Sequence, residues 1–223
     1  MKNIVLFGGG LHTSYCIDIL KKEGLYNIVG ITDSLKDVGS ELFGYTVIGR
    51  QEELRELIVK YDIHGGLITI GDNWSRKTVY DCIIKQVPYF KFINAIHPST
   101  IVGMNVVFGE GIVIMAGCII NPNANVGSFC FLATGAQLEH DCIMGDFASI
   151  SAGVVTGGKV VIGRYSAITL GVVILDRLTI GENTVVGSGS LVVKNLPDNV
   201  LAYGNPAEII RSRTPGERFL KSS

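Results

Sequence analysis

Charge is scarce in this 223-residue chain. Asp, Glu, Lys and Arg make up 17% of it, against about 25% in an ordinary soluble domain. The charge present is balanced, 19 basic residues against 20 acidic ones, so no bulk electrostatic attraction to nucleic acid is expected. The five cysteines are an odd number without a CxxC pair, which argues against a metal ribbon and fits a reducing compartment. There are only four histidines, so any one of them in an unusual setting stands out. No signal peptide is expected, because Met1-Lys2 leads directly into a strand-like run and a glycine loop; the expected location is the cytoplasm.

What is plentiful is apolar surface and glycine: 47% hydrophobic residues and 28 glycines. With a net charge of −1, that composition excludes disorder. The stretch from Gly111 to Leu138 has no charged residue and is long enough for a membrane span. Asn121-Pro122-Asn123, Asn125, Gly117, Gly127 and Gly135 interrupt it, and its period is not helical, so no membrane association is expected.

Residues 1–96 alternate strands and helices. Asn3–Phe7 reads as a buried strand, Gly8-Gly9-Gly10 as a turn, and His12–Glu23 as a helix stopped by Gly24. Strands are expected at Ile28–Asp33, Tyr45–Ile48, Gly66–Ile70 and Lys91–Ile96. An amphipathic helix is expected over Gln51–Tyr61 and a further helix from an Asn73 cap to about Gln86, before Pro88. Such alternation with short loops implies a parallel sheet covered by helices.

From residue 97 the pattern changes. Every sixth residue from Val102 to Val192 is apolar in fifteen of sixteen cases, the exception being Thr156. Glycine follows at 103, 109, 127, 145, 157, 163, 181 and 187, where it is expected to serve the turns. Four residues after each apolar position the residue is usually small or β-branched, as at Cys118, Cys130 and Cys142, which marks these cysteines as core. Period six fits neither a helix nor a simple strand; a solenoid of short strands joined by tight turns produces it. Residues 97–192 carry 9 charged residues, residues 1–96 carry 22. The deficit therefore belongs to the solenoid.

The period-six array resembles the hexapeptide-repeat acyltransferases. That resemblance implies a left-handed parallel β-helix with three hexads per turn, assembled as a homotrimer with active sites between prisms. Further stretches are similar to the sialic-acid O-acetyltransferase and nucleotide-amino-sugar N-acetyltransferase family of bacterial surface-glycan pathways. They are Gly8-Gly9-Gly10-Leu11-His12, Gly30-Ile31-Thr32-Asp33, Ile70-Gly71-Asp72-Asn73 with Arg76, Ile96-His97-Pro98-Ser99, Glu139-His140-Asp141-Cys142 and Gly204-Asn205-Pro206-Ala207. The organisation implied is an α/β Rossmann-like nucleotide-sugar domain at 1–96, a β-helix acyltransferase domain at 97–195, and a C-terminal extension at 196–223.

The resemblance implies acetyl-CoA as co-substrate and a nucleotide-linked amino sugar as acceptor. Gly8, Gly10, His12, Asp33, Gly71, Asn73 and Arg76 become the sugar-nucleotide candidates. Gly8 and Gly10 fit the start of a GxGxxG fingerprint, but the third glycine position is Thr13; the loop is either a tight turn joining strand to helix or a phosphate cradle at a helix start, and the resemblance implies the cradle, for a sugar nucleotide rather than NAD. Asp33 is either a partner for sugar or base hydroxyls or a solvated loop residue. Arg76 is either a phosphate partner or an exposed helical arginine.

His140 is the only histidine in the repeats. Acyl transfer from a thioester needs a proton removed as the new bond forms, and an imidazole with its ordinary pKa near 6.5 serves as that base. Asp141, or alternatively Glu139, orients it. Neighbouring strand residues point to opposite faces, so Asp141 requires a turn between them. By position, Ser149, Gly158, Leu170, Gly204 and Pro206 match the family's coenzyme A contacts, with Ser149 where a second histidine is common and Ala133 where an asparagine is usual. Backbone N–H groups or Ser149 are expected to hold the oxyanion.

The expected activity is therefore acetyl transfer to the amine of a nucleotide-linked 4-amino-deoxy sugar. The alternatives are sugar O-acetylation and a non-catalytic trimeric scaffold. No metal is expected, since a zinc hydratase needs three histidines and the repeats hold one.

Overall fold

A computed structural model describes residues 1–220; residues 221–223, the end of the expected C-terminal extension, lie outside the described residues. The chain opens with β1 (Lys2–Phe7), α1 (His12–Glu23), β2 (Tyr26–Thr32), β3 (Glu41–Leu42), β4 (Tyr45–Gly49), α2 (Leu54–Tyr61), β5 (Gly65–Ile68) and α3 (Asn73–Gln86). The sheet order is β3-β4-β2-β1-β5, parallel except for the β3–β4 hairpin. The central strand β1 buries Ile4 to Phe7 completely, as a strand covered on both faces must.

Three local expectations are corrected. The Gln51–Tyr61 segment begins as a 3-10 turn, Gln51–Glu53, before α2. Asp72, not Asn73, caps α3: its backbone is extended and its carboxylate accepts from the Ser75 amide at 2.9 Å. Lys91–Ile96 is not one strand of the front sheet. Phe92 makes a single bridge to Gly66, and Ala95–Ile96 pairs with Val113–Ile114 as the first rung of the solenoid.

From there the backbone coils through two-residue strands, forming a left-handed parallel β-helix with three faces. The first face stacks Ile101–Val102, Ile119–Ile120, Gln137–Leu138, Val155–Thr156, Val173–Ile174 and Leu191–Val192. The second stacks five strands from Val107–Phe108 to Thr179–Ile180, and the third begins at Ala95–Ile96 and ends in a hairpin, Val200–Gly204 and Ala207–Ser212. Partners lie 18 residues apart, as in Ile120 opposite Leu138. The second residue of each strand points to the axis, and from Ile114 to Val192 these residues are at most 1% exposed. Cys118, Cys130 and Cys142 are buried beside them. Burial pushes the Cys118 thiol up to about 11 and that of Cys130 to about 12, so neither is a nucleophile at neutral pH.

The glycines that follow the axial positions have a different cause from the expected one. They do not adopt positive φ. A Cβ on Gly127 would stand 2.7 Å from the Asp146 amide nitrogen of the next coil, and one on Gly145 2.8 Å from that of Arg164. Close coil-to-coil approach, rather than turn geometry, excludes side chains there.

The left-handed residue sits two positions further on and forms three edges of unlike chemistry. Between the third and first faces it is glycine, at 117, 135, 153, 171 and 189. Between the second and third faces it is Gly111 and then Phe129, Phe147, Tyr165 and Asn183; between the first and second it is Asn105, Asn123, Asp141, Lys159 and Arg177. All these non-glycine positions have φ between 52° and 63°, a conformation that costs an L-residue about 1–2 kcal/mol and is held by the stacked coils.

The aromatic edge docks the front domain. Phe129, Phe147 and Tyr165 stack face to face, with Trp74 of α3 on Tyr165 at 4.2 Å. Asn73 donates to the carbonyls of Tyr165 and Ser166. Arg76 is 2% exposed and donates to the carbonyls of Phe129, Phe147, Ile70 and Gly71 and to Asn73 Oδ1. Among the described residues no helix is long and apolar enough to cross a membrane.

Candidate active site

On the first-to-second edge, the turn after Leu138 brings His140 and Asp141 to the same side. Asp141 takes φ 59°, which is the turn that the pairing of neighbours required. Its Oδ2 lies 2.8 Å from His140 Nδ1, and its Oδ1 accepts from Asn123 Nδ2 at 3.1 Å. Asn123 in turn accepts from Asn105 at 3.2 Å. This side-chain ladder fixes the carboxylate. The hydrogen bond to His140, then that from Asn123, hold the Asp141 carboxyl below the usual carboxylate range. An ionised Asp141 selects the tautomer with the proton on Nδ1 and leaves Nε2 as an acceptor. Asp141 rather than Glu139 is the partner of His140 Nδ1; the Glu139 carboxylate accepts from Asn121 at 2.9 Å.

Gly158, one coil further along, faces the His140 ring. A Cβ there would overlap the imidazole, lying 2.6 Å from Cε1, so glycine is what leaves room for the ring. The Gly158 amide donates to Asp176 Oδ1 at 2.8 Å and is not a free donor for an oxyanion. Beside it, on the first face, an open groove of about 470 Å³ is lined by Val155, Gly157, Val173, Leu175 and Asp176. Across that face, next to the glycine edge, lie exposed Leu170 and the Gly204 amide, which donates to Ser190. Gly204 and Pro206 flank a hairpin turn with a cis Asn205–Pro206 bond.

Ser149 is placed elsewhere. It lies on the third face beside Phe131 and is 2% exposed, with its Oγ unpartnered. That face packs against the front domain through Val113, Phe131 and α1. Within one chain the structure does not bring Ser149 to His140.

A second cleft, of about 410 Å³, opens at the start of α1. It brings together Gly8, Gly10, His12, Asp33 and Gly71. Thr13, at the position of the missing third glycine, donates to the Gly8 carbonyl at 2.6 Å and meets Thr69 at 3.0 Å, pinning the loop to β5. Asp33 accepts from the Gly9 amide at 2.6 Å and from the Leu35 and Lys36 amides, so it shapes the loop. Neither α1 side chain nor backbone caps the amides of Gly10 and Leu11 among the described residues. His12 packs edge-on against Phe131 at 4.4 Å. Burial, then the nearby Arg76 charge, lower its pKa to about 4, so it faces the cleft as a neutral imidazole.

Two expected members are absent from this cleft. Asn73 and Arg76 are committed to the aromatic edge, because a buried guanidinium requires the carbonyl partners it finds there. Conversely, Tyr15, Gln51, Arg218 and Leu220 line the cleft and were not anticipated. Arg213 and Glu217 position the tail: buried Arg213 donates to the carbonyl of Asn183 and to Glu217, whose carboxyl is lowered to about 2, chiefly by Arg211. No local pattern in residues 211–220 announces that return across the fold.

Residues 3–83 match the PglD N-terminal domain family. No curated protein matches the chain. Among solved structures, a histidine-to-asparagine variant of perosamine N-acetyltransferase from Caulobacter crescentus, in complex with CoA and GDP-perosamine, is 32% identical. The match covers 95% of this chain and 98% of that one, with a TM-score of 0.88. The acetyltransferase domain of PglB from Neisseria gonorrhoeae, in complex with acetyl coenzyme A, is 26% identical over 94% of this chain and 99% of that one, TM-score 0.84. WeeI from Acinetobacter baumannii shares the fold at 22% identity, over 94% and 100% of the two chains, TM-score 0.83.

Proposed function

The chain belongs to the nucleotide-amino-sugar acetyltransferase family, and from that premise we propose that it acetylates the amine of a nucleotide-linked amino sugar with His140 as general base. The observation that carries the assignment is the Asp141 carboxylate on His140 Nδ1, which leaves Nε2 free above Gly158. Acetyl-CoA is the acyl donor. Its arm is assigned to the first-face groove between Gly158 and Leu170.

In this reading the acceptor amine attacks the thioester carbonyl carbon, the carbon–sulfur bond breaks, and Nε2 takes the proton released by the nitrogen. The imidazolium, stabilised by Asp141, returns that proton to the departing thiolate. No covalent acyl-enzyme is needed, which agrees with three coil cysteines sealed in the core.

The sugar nucleotide is assigned to the front cleft. Its pyrophosphate meets the free amides at the start of α1, and neutral His12 contributes a hydrogen bond rather than a charge. The groove and the polar edge are open in one chain, and exposed apolar residues such as Ile143, Leu170, Val173 and Leu175 surround them. A homotrimer of prisms covers these residues and completes the acyl site. The reaction belongs to bacterial surface-glycan synthesis in the cytoplasm.

The test is thiol release from acetyl-CoA across a panel of UDP-, GDP-, CMP- and dTDP-linked amino sugars. H140A is expected to lose about 10²–10⁴-fold in kcat while still binding CoA. Wild-type turnover in H140A removes the base assignment, and failure to bind CoA at all favours a scaffold.

A further inference from the structure

Thr156 is the one non-apolar residue among the sixteen axial positions from Val102 to Val192, and the coil is irregular at the same point. On the first face, the residue after each axial position donates its amide to a carbonyl 17 residues on. Gly103 donates to Ile120 at 2.7 Å, Asn121 to Leu138 at 2.9 Å, Gly157 to Ile174 at 2.7 Å and Leu175 to Val192 at 3.1 Å. Glu139 breaks the series. Its amide donates to the Thr156 hydroxyl, at 3.0 Å, and the ladder between these coils pairs Gln137 with Val155 but not Leu138 with Thr156.

The same hydroxyl lies 3.6 Å from Cys142 Sγ. The thiol lies 3.3 Å from the Gly157 carbonyl, its acceptor, and the sulfur accepts from the Val160 amide. With the thiol proton committed to the Gly157 carbonyl, the hydroxyl is the donor in its contact with the sulfur. One buried hydroxyl, 1% exposed, therefore holds residue 139 by its amide and residue 142 by its side chain. His140 and Asp141 are the two residues between.

We infer that Thr156 is a positioning residue for the catalytic pair, clamping the His140–Asp141 turn from inside the coil. This rests on the reading of His140 as the base. Thr156 belongs to the wall of the first-face groove, but it is 1% exposed and its hydroxyl is turned to the inside of the coil. Valine in its place has the same shape and no acceptor, so the Glu139 amide turns to the residue-156 carbonyl and restores the regular rung. That rotation carries the adjoining His140 away from its seat over Gly158. A regular rung and one more apolar axial side chain predict a fold at least as stable as the wild type. An ordinary core threonine would predict no change in His140 at all.

The experiment compares T156V, T156S and H140A in the full-length protein, with acetyl-CoA and the panel sugar that supports turnover. Melting temperature and the ¹⁵N signals of the His140 ring are measured alongside. T156V is expected to keep or raise the melting temperature and to keep both KM values. Its kcat is expected to fall by about 10–100-fold, the loss that an ångström-scale misplacement causes, and its His140 signals to shift away from the Nδ1–H form. T156S retains the hydroxyl and is expected to recover most of the turnover and the wild-type ring signals. The inference is overturned if T156V has wild-type kcat and ring signals, or if T156S is as impaired as T156V. It is also overturned if activity falls only in step with melting temperature. Wild-type turnover in H140A would remove the base assignment instead, and the ring signals of T156V would still report on the clamp.

Discussion

Two edges of the same prism share one backbone and differ in everything else. At Phe129, Phe147 and Tyr165 the left-handed turn carries aromatic rings; at Asn123, Asp141 and Lys159 it carries polar and charged groups. The φ angles agree within 4°, from 59° to 63°. The aromatic edge stacks on itself and on α3, burying a guanidinium in the seam. The polar edge stays open and fixes an imidazole by a ladder of side-chain hydrogen bonds. The turn is thus a backbone solution imposed by coil stacking, and side chains distribute its uses: docking on one edge, the proposed chemistry on the other.

If that division is right, substitutions on the aromatic edge cost stability and spare turnover per folded molecule. The largest expected effect is Arg76→Met, which orphans buried carbonyls of both domains and costs about 3–5 kcal/mol; thermal or urea unfolding measures it. Unchanged stability would mean the seam is not held by Arg76. Substitutions on the polar edge do the reverse. Gly158→Ala pushes on the imidazole and is expected to lower kcat by about 10²-fold, with the melting temperature little moved. Asn123→Ala frees one oxygen of Asp141 and is expected to lower kcat about tenfold, again without a change in coenzyme binding by titration. The glycine edge is the control. Gly135→Ala meets nothing within 4 Å and is expected to cost about 1–2 kcal/mol of backbone strain with kcat unchanged; a loss of turnover there would erase the contrast between edges.

Acid sharpens the comparison, because it acts on the cleft and not on the aromatic seam. His12 has its pKa lowered to about 4 in the fold, against about 6.5 unfolded. The unfolded chain therefore binds more protons between these values, and stability falls as pH drops from about 6.5 toward about 4. A pH series of melting temperatures is expected to show that decline in the wild type and a flatter line in His12→Asn.

Much of this was legible in the residues. The bounds of α1, the register of the axial stack and the core fate of Cys118, Cys130 and Cys142 all follow from periodicity. So does the exception at Thr156, visible as a break in a strict pattern though its partner was not. What the pattern hid is long-range. Arg76 and Asn73 lie on an ordinary helical segment, and nothing local says that their acceptors are carbonyls 53 to 93 residues away. Ser149 occupies a plausible position in the linear order, yet the 18-residue repeat carries it to a different face from His140. Arg218 reaches the cleft only because residues 211–217 turn back over the third face.

The sequence alone determined the two-part architecture, the axis of the coil and the candidate base, because those depend on short-range repetition: burial with a fixed period and the rarity of histidine in it. Tertiary structure decided which edge docks and which stays open with a fixed imidazole, which arginine is buried and which meets the cleft, and where the Glu139 amide goes. Those outcomes depend on unsatisfied backbone groups finding partners across the fold, and such pairing leaves no periodic mark in the chain.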